Sequence, residues 1–258
     1  MHIVVCVKQI LDTTDIRFDS ETHRLKRDGM PTTINSLDDY AVEEGIRLKE
    51  AHGGKVTVIT MGPKQAEETI KYAIALGADD GIMLTDDAFA GSDCQATAYA
   101  LSRTIASLEN VDLVICGGES VDGNTAYVGP ALAQMLQIPY ITFVQKIEEI
   151  GEGNMVVQRM MEEGYDRLES PTPALISVIK GINEPRISSL KGKMKAKKFK
   201  ATVKAASDVD GLDAGKVGAG AAKAKVLKTF PPAPRPVGEI LEGEPDEMAE
   251  ALYQKLRG

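Results

Sequence analysis

Four short apolar runs, uninterrupted by turn residues, constrain the fold of this chain most strongly. They are HIVVCV (2–7), KVTVIT (55–60), GIMLT (81–85) and DLVICG (112–117). Continuous runs of this length predict strands that are covered on both faces, as in a parallel sheet. Because helical patterns lie between them, we expect an α/β fold with a doubly wound, mainly parallel sheet and right-handed crossovers.

Apolar residues at helical spacing fill the connections between these runs. The predicted helices cover 38–50, 64–76, 92–108 and 126–136. Asp38 or Asp39 is expected to begin the first helix, and Ser92 to cap the third. Gly77 follows the second helix at the position where a left-handed residue commonly ends one.

Two regions break this alternation. Residues 12–33 are too polar for a core element and predict a surface hairpin around SETH. After residue 142 the chain shows strand patterns without helices. These strands are TFVQKI, NMVVQRMM, GYDRLE and PALISVI, and we expect them to form an antiparallel extension of the sheet, resembling adenine-nucleotide alpha-hydrolase-like folds with an added edge.

The last part of the chain has a different composition. It is basic after residue 190 (KGKMKAKKFK), then rich in alanine and glycine, then rich in proline, and it ends in an amphipathic helix at 245–256. We therefore divide the chain into an α/β domain at 1–190 and a docking segment with a C-terminal arm at 191–258. A tail of ~60 residues with so few apolar side chains is expected to be disordered or to wrap a second protein.

Composition excludes some classes of function. The formal net charge of −8 argues against a nucleic-acid or anionic-membrane binder. No run approaches the ~20 apolar residues of a membrane span, and the first strand begins at His2, so we expect a cytoplasmic protein. Cys6 and Cys116 lie in apolar runs, where buried small hydrophobes are expected. The three histidines, His2, His23 and His52, are expected at the surface.

The stretch CGGESVDGNTAYVGPALAQML (116–136) predicts a binding loop. A strand delivers Gly117 and Gly118 to the carboxyl edge, where ligands of open parallel sheets bind. A helix starting near Thr125 would present roughly +0.5 charge there, which suits a phosphate. Gly123 permits a positive φ, and Asp122 can accept from a ribose hydroxyl. An ordinary strand–turn–helix connection favours the same residue types.

Two further loops support a nucleotide at this edge. INSLDD (34–39) precedes a helix, and Met61 and Gly62 follow a strand. The chain has no GxGxxG after the first strand and no GxxxxGK[ST]. It also shows no Ser-His-Asp, HExxH or paired-carboxylate arrangement, so we predict neither a catalytic residue nor a metal ligand.

Several spaced blocks resemble the beta subunits of electron-transfer flavoproteins. They are VKQILDT (7–13), INSLDDYAVEEGIRLKE (34–50), TMGPKQAEETIKYAIALGAD (60–79), SVDGNTAYVGPALAQML (120–136), VQRMMEEGYDRLESPTPALIS (157–177) and INEPRISSLKGKMKAKK (182–198). The sequence departs from the family at Glu163 and in INSLDD, where INPFD is more usual.

The resemblance implies a heterodimer with an alpha subunit that carries FAD, and electron exchange with an acyl-CoA-type dehydrogenase. It implies an adenine nucleotide on the beta subunit and an apolar anchor, Leu190, that docks the dehydrogenase. The implied nucleotide contacts are Cys6, Asn35, Ser36, Leu37, Asp38, Met61, Gly117, Gly118, Glu119, Ser120, Val121, Asp122, Gly123, Asn124, Thr125, Ala126, Tyr127 and Val128.

The family has two branches that differ in this nucleotide. In one it is a structural AMP; in the other it is a second FAD that takes a hydride from NADH and splits the electron pair between a high- and a low-potential acceptor such as ferredoxin or flavodoxin. VKQILDT, VDGNTAYVGP and AFAGSD (88–93) resemble the second branch. Redox activity is then expected only through bound flavin. A nucleotide sensor that acts without an alpha subunit is a third possibility.

Overall fold

The computed structural model describes residues 1–12, 30–151, 153–224, 227 and 238–257. Its strands are β1 His2–Cys6, β2 Gln9–Leu11, β3 Thr32–Ile34, β4 Lys55–Met61, β5 Asp80–Leu84, β6 Leu113–Gly117, β7 Tyr140–Gly151, β8 Asn154–Met160, β9 Tyr165–Pro171, β10 Ala174–Val178 and β11 Thr202–Lys204. Its helices are α1 Ser36–His52, α2 Glu67–Leu76, α3 Cys94–Ala106, α4 Val128–Leu136, α5 Leu190–Lys198, α6 Gly218–Ala221 and α7 Pro245–Arg257.

A nine-stranded sheet forms the centre of the domain, with the order β11-β5-β4-β1-β6-β10-β7-β8-β9. Along this order, every neighbouring pair from β11 to β7 is parallel. Within this sheet, only the pairs β7–β8 and β8–β9 are antiparallel. The mainly parallel α/β fold with an antiparallel extension is therefore confirmed.

The prediction of an antiparallel extension is wrong for one of its strands. The run PALISVI forms β10, which lies between β6 and β7 and pairs in parallel with both. All five residues of β10 are buried, as are those of β1. Burial on both faces explains its continuous apolar sequence, which is the signature of a parallel strand.

Helices cover both faces of the sheet. One apolar layer joins α1 and α2 to the sheet through Ile46, Ile70 and Ile74. The other joins α3 and α4 through Leu101 and Leu132. Each such side chain, fully buried, contributes roughly 1.5–3 kcal/mol, so the two layers hold the sheet from both sides.

The helix boundaries follow local hydrogen bonding. α1 begins at Ser36, two residues earlier than expected, and Asn35 precedes it. Gly77 ends α2 with a φ of 141°. Ser92 does not cap α3: its hydroxyl donates to the Phe89 carbonyl, and the Asp93 carboxylate instead accepts from the Ala96 N–H at 2.9 Å. A carboxylate that reaches the first helical turn is one of the best N-caps.

Residues 190–224 are ordered on the α/β domain, contrary to the expectation from their composition. β11 pairs with β5 and so covers one end of the sheet. Val209 and Val217 are buried against the layer that contains α3, and Ala222 is also buried. Val209 and Val217 supply buried apolar contacts of this segment, and backbone hydrogen bonds to the domain add to its anchoring.

The remaining predictions concern the C-terminal helix, the surface hairpin and membrane spans. The predicted C-terminal helix is confirmed as α7, which belongs to a separate small unit with Leu252 and Leu256 exposed. The centre of the predicted hairpin lies outside the described residues, although β2 and β3 beside it pair antiparallel. Within the described ranges, every helix is too short or too polar to cross a bilayer.

The expectation for the histidines holds at one position and fails at another. His52 is exposed, as expected. His2 is buried because it begins the central strand, and its ring bonds the Thr57 hydroxyl at 3.0 Å and the Glu109 carbonyl at 2.9 Å. His23 lies outside the described residues.

Candidate functional site

The strand order reverses at β1, which creates a crevice at the carboxyl edge of the sheet. From β1 the chain moves outward through β4 and β5, and it then returns to the opposite side of β1 at β6. The connections that leave β1 and β6 therefore diverge, and ligands of open α/β sheets bind at such a point. Two segments border it: Val7 and Lys8 after β1, and residues 117–127, here called the β6–α4 loop.

Glycines open the β6–α4 loop because side chains would collide there. A Cβ at Gly117 would lie 2.3 Å from Asp38 Oδ1, and one at Gly118 would lie 3.2 Å from the Phe143 ring. The Gly118 N–H donates to the Val178 carbonyl at 2.8 Å, which fixes the start of the loop to β10. The two glycines thus allow α1 and β7 to close in on the same backbone.

Asn35 connects the beginning of α1 to the β6–α4 loop. Its amide nitrogen donates to the Glu119 carbonyl at 2.9 Å and to Asp38 Oδ1 at 3.0 Å, and its amide oxygen accepts from the Val121 N–H at 3.0 Å. The side chain is almost fully buried. All of these bonds are made within the protein, so Asn35 fixes the shape of the loop.

Asp38 holds the ends of β1 and β6 together from below. Its second carboxylate oxygen accepts from the Lys8 N–H at 2.7 Å, and the Gly117 N–H also bonds the carboxylate. Burial raises the pKa of Asp38 to about 7, against hydrogen bonds from Asn35, Lys8 and Gly117 that lower it. The free-energy cost of desolvating the charged carboxylate exceeds the stabilisation that its hydrogen-bond donors provide.

Lys8 is a site residue that the sequence patterns did not single out. Its ammonium donates to Asp122 Oδ1 at 2.6 Å and to the Ser120 hydroxyl at 3.2 Å. Burial works to raise the pKa of Asp122, but the hydrogen bonds from Lys8 and Ser120 outweigh it, and the pKa lies below its usual value. The available signal was a cation directly after the first strand, at the edge where an anion was expected.

Two helices, α1 and α4, begin beside the crevice. In the described part of the chain, no side chain caps α1 or α4. Their first N–H groups therefore carry the partial positive charge that favours a phosphate. The positions differ from those expected: α4 begins at Val128 rather than near Thr125, and Asn124 and Ala126 take the positive φ (48° and 49°) that was expected at Gly123.

Two thiols lie where β1 and β6 end, in the apolar layer that contains α3 and α4. Cys6 and Cys116 are directly paired across β1 and β6, and both are buried and unbridged, as predicted. The hydrogen bond with Cys6, together with burial, raises the pKa of Cys116. Buried thiols of this kind are weak nucleophiles, and the layer around them is apolar. Met61 stands beside it at the end of β4.

The structure brings the predicted contact residues to one edge but separates them into two groups. Asn35, Asp38 and Gly118 are buried and form the support. The outer group faces solvent. Its exposed members are Ser36, Val121, Asp122, Gly123, Asn124, Thr125 and Tyr127, and its partly exposed members are Leu37, Met61, Gly117, Glu119, Ser120, Ala126 and Val128. Hydroxyl, amide and small side chains make up most of the outer group, and these suit binding.

Leu190 lies elsewhere, at the first position of α5. Its side chain is 78% exposed, and the neighbouring Ile187 is 92% exposed. Ser189 caps α5 by accepting from the Gly192 N–H at 3.0 Å, and Arg186 is fixed to Glu43 and Glu50 of α1. A rigid base therefore presents these two apolar side chains to solvent.

The chemistry available at the crevice is recognition. Among the described residues, no three His, Cys, Asp or Glu side chains are grouped so that they could hold a metal ion. Three ionisable groups at the edge, Lys8, Asp38 and Asp122, are each hydrogen-bonded to the protein. The arrangement offers hydrogen-bond donors and acceptors to a bound ligand.

Comparison with known proteins identifies the family. The family described as "Electron transfer flavoprotein domain" matches residues 22–209. The electron transfer flavoprotein subunit beta of Thermoanaerobacterium thermosaccharolyticum is 43% identical over 257 residues, covering 99% of this chain and 98% of that protein.

Two other relatives carry different names. Protein FixA of Azotobacter vinelandii is 38% identical, covering 99% of this chain and 94% of that protein. The caffeyl-CoA reductase–Etf complex subunit CarD of Acetobacterium woodii is 37% identical, covering 100% and 98%. This chain belongs to the electron transfer flavoprotein family, among its beta subunits.

Proposed function

We propose that the crevice between β1 and β6 binds the adenine nucleotide part of FAD, and that the protein passes electrons as one subunit of a heterodimer. The observation that carries the proposal is the pair of helix starts without a side-chain cap, α1 and α4, beside a loop whose close packing against α1 and β7 depends on Gly117 and Gly118. A phosphate there could accept hydrogen bonds from the first N–H groups of α1 and α4, which no side chain caps.

The residues divide the work of binding. Asn35 and Asp38 fix the backbone of the β6–α4 loop before any ligand arrives. Lys8 adds positive charge beside Asp122, and the exposed Thr125 offers a hydroxyl. Because the loop is already shaped, little ordering cost falls on binding itself.

Flavin in this crevice would supply the redox chemistry, with NADH as hydride donor and a low-potential acceptor such as ferredoxin or flavodoxin. The chain contributes position, hydrogen bonds and exclusion of water. The small residues of the β6–α4 loop favour the larger nucleotide over AMP. The alternative is a structural AMP, in which case electrons would pass only through the FAD of the alpha subunit.

Two surfaces are proposed for partners. The exposed pair Ile187 and Leu190 suits the apolar pocket of an acyl-CoA-type dehydrogenase. The name of the relative CarD places that protein in a complex with a CoA-ester reductase, which supports a partner of this type. The exposed apolar side chains of α7 suit the alpha subunit, as a C-terminal arm would.

Nucleotide analysis of the purified heterodimer tests the proposal. The chain is co-expressed with its alpha subunit, the complex is denatured, and the released nucleotides are separated by chromatography. Two FAD molecules per heterodimer support flavin in the crevice, whereas one FAD with one AMP selects the alternative. Recovery of ATP from the chain alone, without an alpha subunit, would contradict both and identify a nucleotide sensor.

A further inference from the structure

Asp93 uses its two carboxylate oxygens for two different parts of the chain. One oxygen accepts from the Ala96 N–H at 2.9 Å and caps α3. The other accepts from the N–H groups of Lys223 and Ala224, at 2.8 Å and 3.2 Å. The pKa of Asp93 is lowered, chiefly by the bond from Ala96 and then by the bonds from Ala224 and Lys223, so the carboxylate is ionised at neutral pH.

The segment that Asp93 holds is near the end of the larger compact unit, which ends at Leu227. Just before Lys223, the Gly218 N–H donates to the Ser92 hydroxyl at 2.8 Å and the Ala219 N–H to the Ala90 carbonyl at 2.9 Å. A Cβ at Gly218 would lie 2.3 Å from the Ala88 carbonyl oxygen. Residues 217–224, here called the anchor segment, therefore lie closely along the loop that ends at Asp93.

The residue after Asp93 contacts the crevice. The Cys94 thiol lies 3.5 Å from the Thr125 hydroxyl, and this hydroxyl also accepts from the Tyr127 N–H at 3.4 Å. Cys94 is the first residue of α3, so its position depends on the cap that Asp93 provides. One short path thus runs from the anchor segment, through Asp93 and Cys94, to the β6–α4 loop.

We infer that Asp93 is a positioning residue that couples the β6–α4 loop to the anchor segment. A ligand that fixes Thr125 also fixes Cys94 and the cap of α3, and so strengthens the hold on Lys223 and Ala224. By linkage, anything that holds the anchor segment in place strengthens nucleotide binding by the same factor. The inference rests on the proposed nucleotide site, and the loop contacts also allow a test without any ligand.

Asp86 provides a matched control. It has the same double role at the other end of this region, since one oxygen accepts from the Ala88 N–H at 2.9 Å and the other from the Ala206 N–H at 3.0 Å. Among the described residues, no hydrogen bond joins 85–88 to the β6–α4 loop. An effect special to Asp93 must therefore come from its contact with the crevice.

Hydrogen exchange of the full-length chain, read by peptide mass spectrometry, tests the coupling without a ligand. We expect Asp93→Ala to speed exchange about fivefold, the factor for a lost N-cap, in both the anchor segment and the β6–α4 loop. Asp86→Ala should speed exchange only near Ala206. If Asp93→Ala leaves the exchange of the β6–α4 loop unchanged, the inference is overturned.

A second variant separates the cap from the anchor and serves if the alanine variant fails to fold. Asp93→Ser keeps a cap for α3 but is too short to reach Lys223. AMP or FAD added to the wild-type chain should slow exchange in both regions, and in Asp93→Ser only in the β6–α4 loop. Slowing confined to that loop in the wild type would overturn the coupling. No slowing in either region would count against the proposed nucleotide site, and the ligand-free test would still decide the coupling.

Discussion

The support beneath the crevice and the exposed end of α5 differ in how they use their side chains. Beneath the crevice, Asn35 and Asp38 are buried and each makes several hydrogen bonds within the protein. At the start of α5, Ile187 and Leu190 are exposed and apolar. The first region is shaped in advance for a small ligand, whereas the second leaves its apolar surface to be covered by a large partner.

This difference means that substitutions should have separable effects. Changes beneath the crevice should alter the free energy of unfolding and nucleotide binding together, because the same bonds serve both. Changes at the end of α5 should alter only the encounter with a partner protein, because little is lost in the free subunit. The following substitutions test the separation.

Gly117→Ala should have the largest effect. The added Cβ would meet Asp38 Oδ1 at 2.3 Å and displace the carboxylate from its three donors. We expect a loss of about 1–3 kcal/mol in the free energy of unfolding, with at least tenfold weaker nucleotide binding. Gly151→Ala is the control, because a Cβ there meets nothing within 4 Å. Urea unfolding and calorimetric titration with AMP measure the two effects, and equal results for both variants would contradict the steric argument.

Asp38→Asn should change the pH dependence of stability. The folded pKa of Asp38, about 7, lies above its ordinary value of 3.8, so the folded state holds the proton more tightly than the unfolded state. Wild-type stability should therefore fall, relative to Asp38→Asn, by about 1.4 kcal/mol per pH unit as the pH rises through this window, and the loss should level off above it. Urea unfolding at about pH 5 and about pH 8 measures this difference.

Asp122→Asn should change the pH dependence of stability in the opposite direction, and urea unfolding measures this as well. Because the pKa of Asp122 is lowered, its contribution to stability should be lost as the pH falls, and it should be small because the side chain is 40% exposed. A parallel pH profile for wild type and Asp38→Asn would show that Asp38 does not titrate as inferred.

Lys8→Ala should weaken nucleotide binding with little change in stability. It removes the charge beside Asp122, so we expect about tenfold weaker binding of AMP, with less difference at high salt. Lys71→Ala is the control, since that lysine pairs with Glu67 and Glu68 on α2. Equal affinities of the two variants for AMP would show that Lys8 does not contribute to nucleotide binding.

Leu190→Ala should have the smallest effect on the isolated subunit. We expect unchanged nucleotide content and unfolding, with electron exchange between heterodimer and dehydrogenase slowed about tenfold. Val203→Ala, an exposed apolar side chain on β11, is the control. Stopped-flow absorbance of the flavin measures the rate, and equal rates would show that Leu190 is not part of the docking surface.

The sequence was informative where burial imposes a pattern. Strands covered on both faces must be continuously apolar, so β1, β4, β5 and β6 could be predicted within a few residues. The same pattern was present in PALISVI, but the strands around it are amphipathic and suggested an antiparallel extension. Strand order is a long-range property that local patterns do not contain.

The support of the site could not be predicted in the same way. Asn35 and Asp38 were interpreted as caps or ligand contacts, and only the fold shows that their hydrogen bonds are made to Lys8, Gly117 and Val121. Lys8 itself was not selected because a lysine after a strand is common. The ordering of residues 190–224 depends on bonds to backbone and to Asp93, which composition does not reveal.

The position of β10 affects how the sheet is assembled during synthesis. β7, β8 and β9 precede β10 in the chain, yet β10 lies between them and β6. The three-stranded meander therefore has no strand to join until residue 178 has left the ribosome. Until then β6, which forms one wall of the crevice, keeps an open edge, so a nascent chain that stops short of Ala174 carries the beginnings of a nucleotide site on an incomplete sheet.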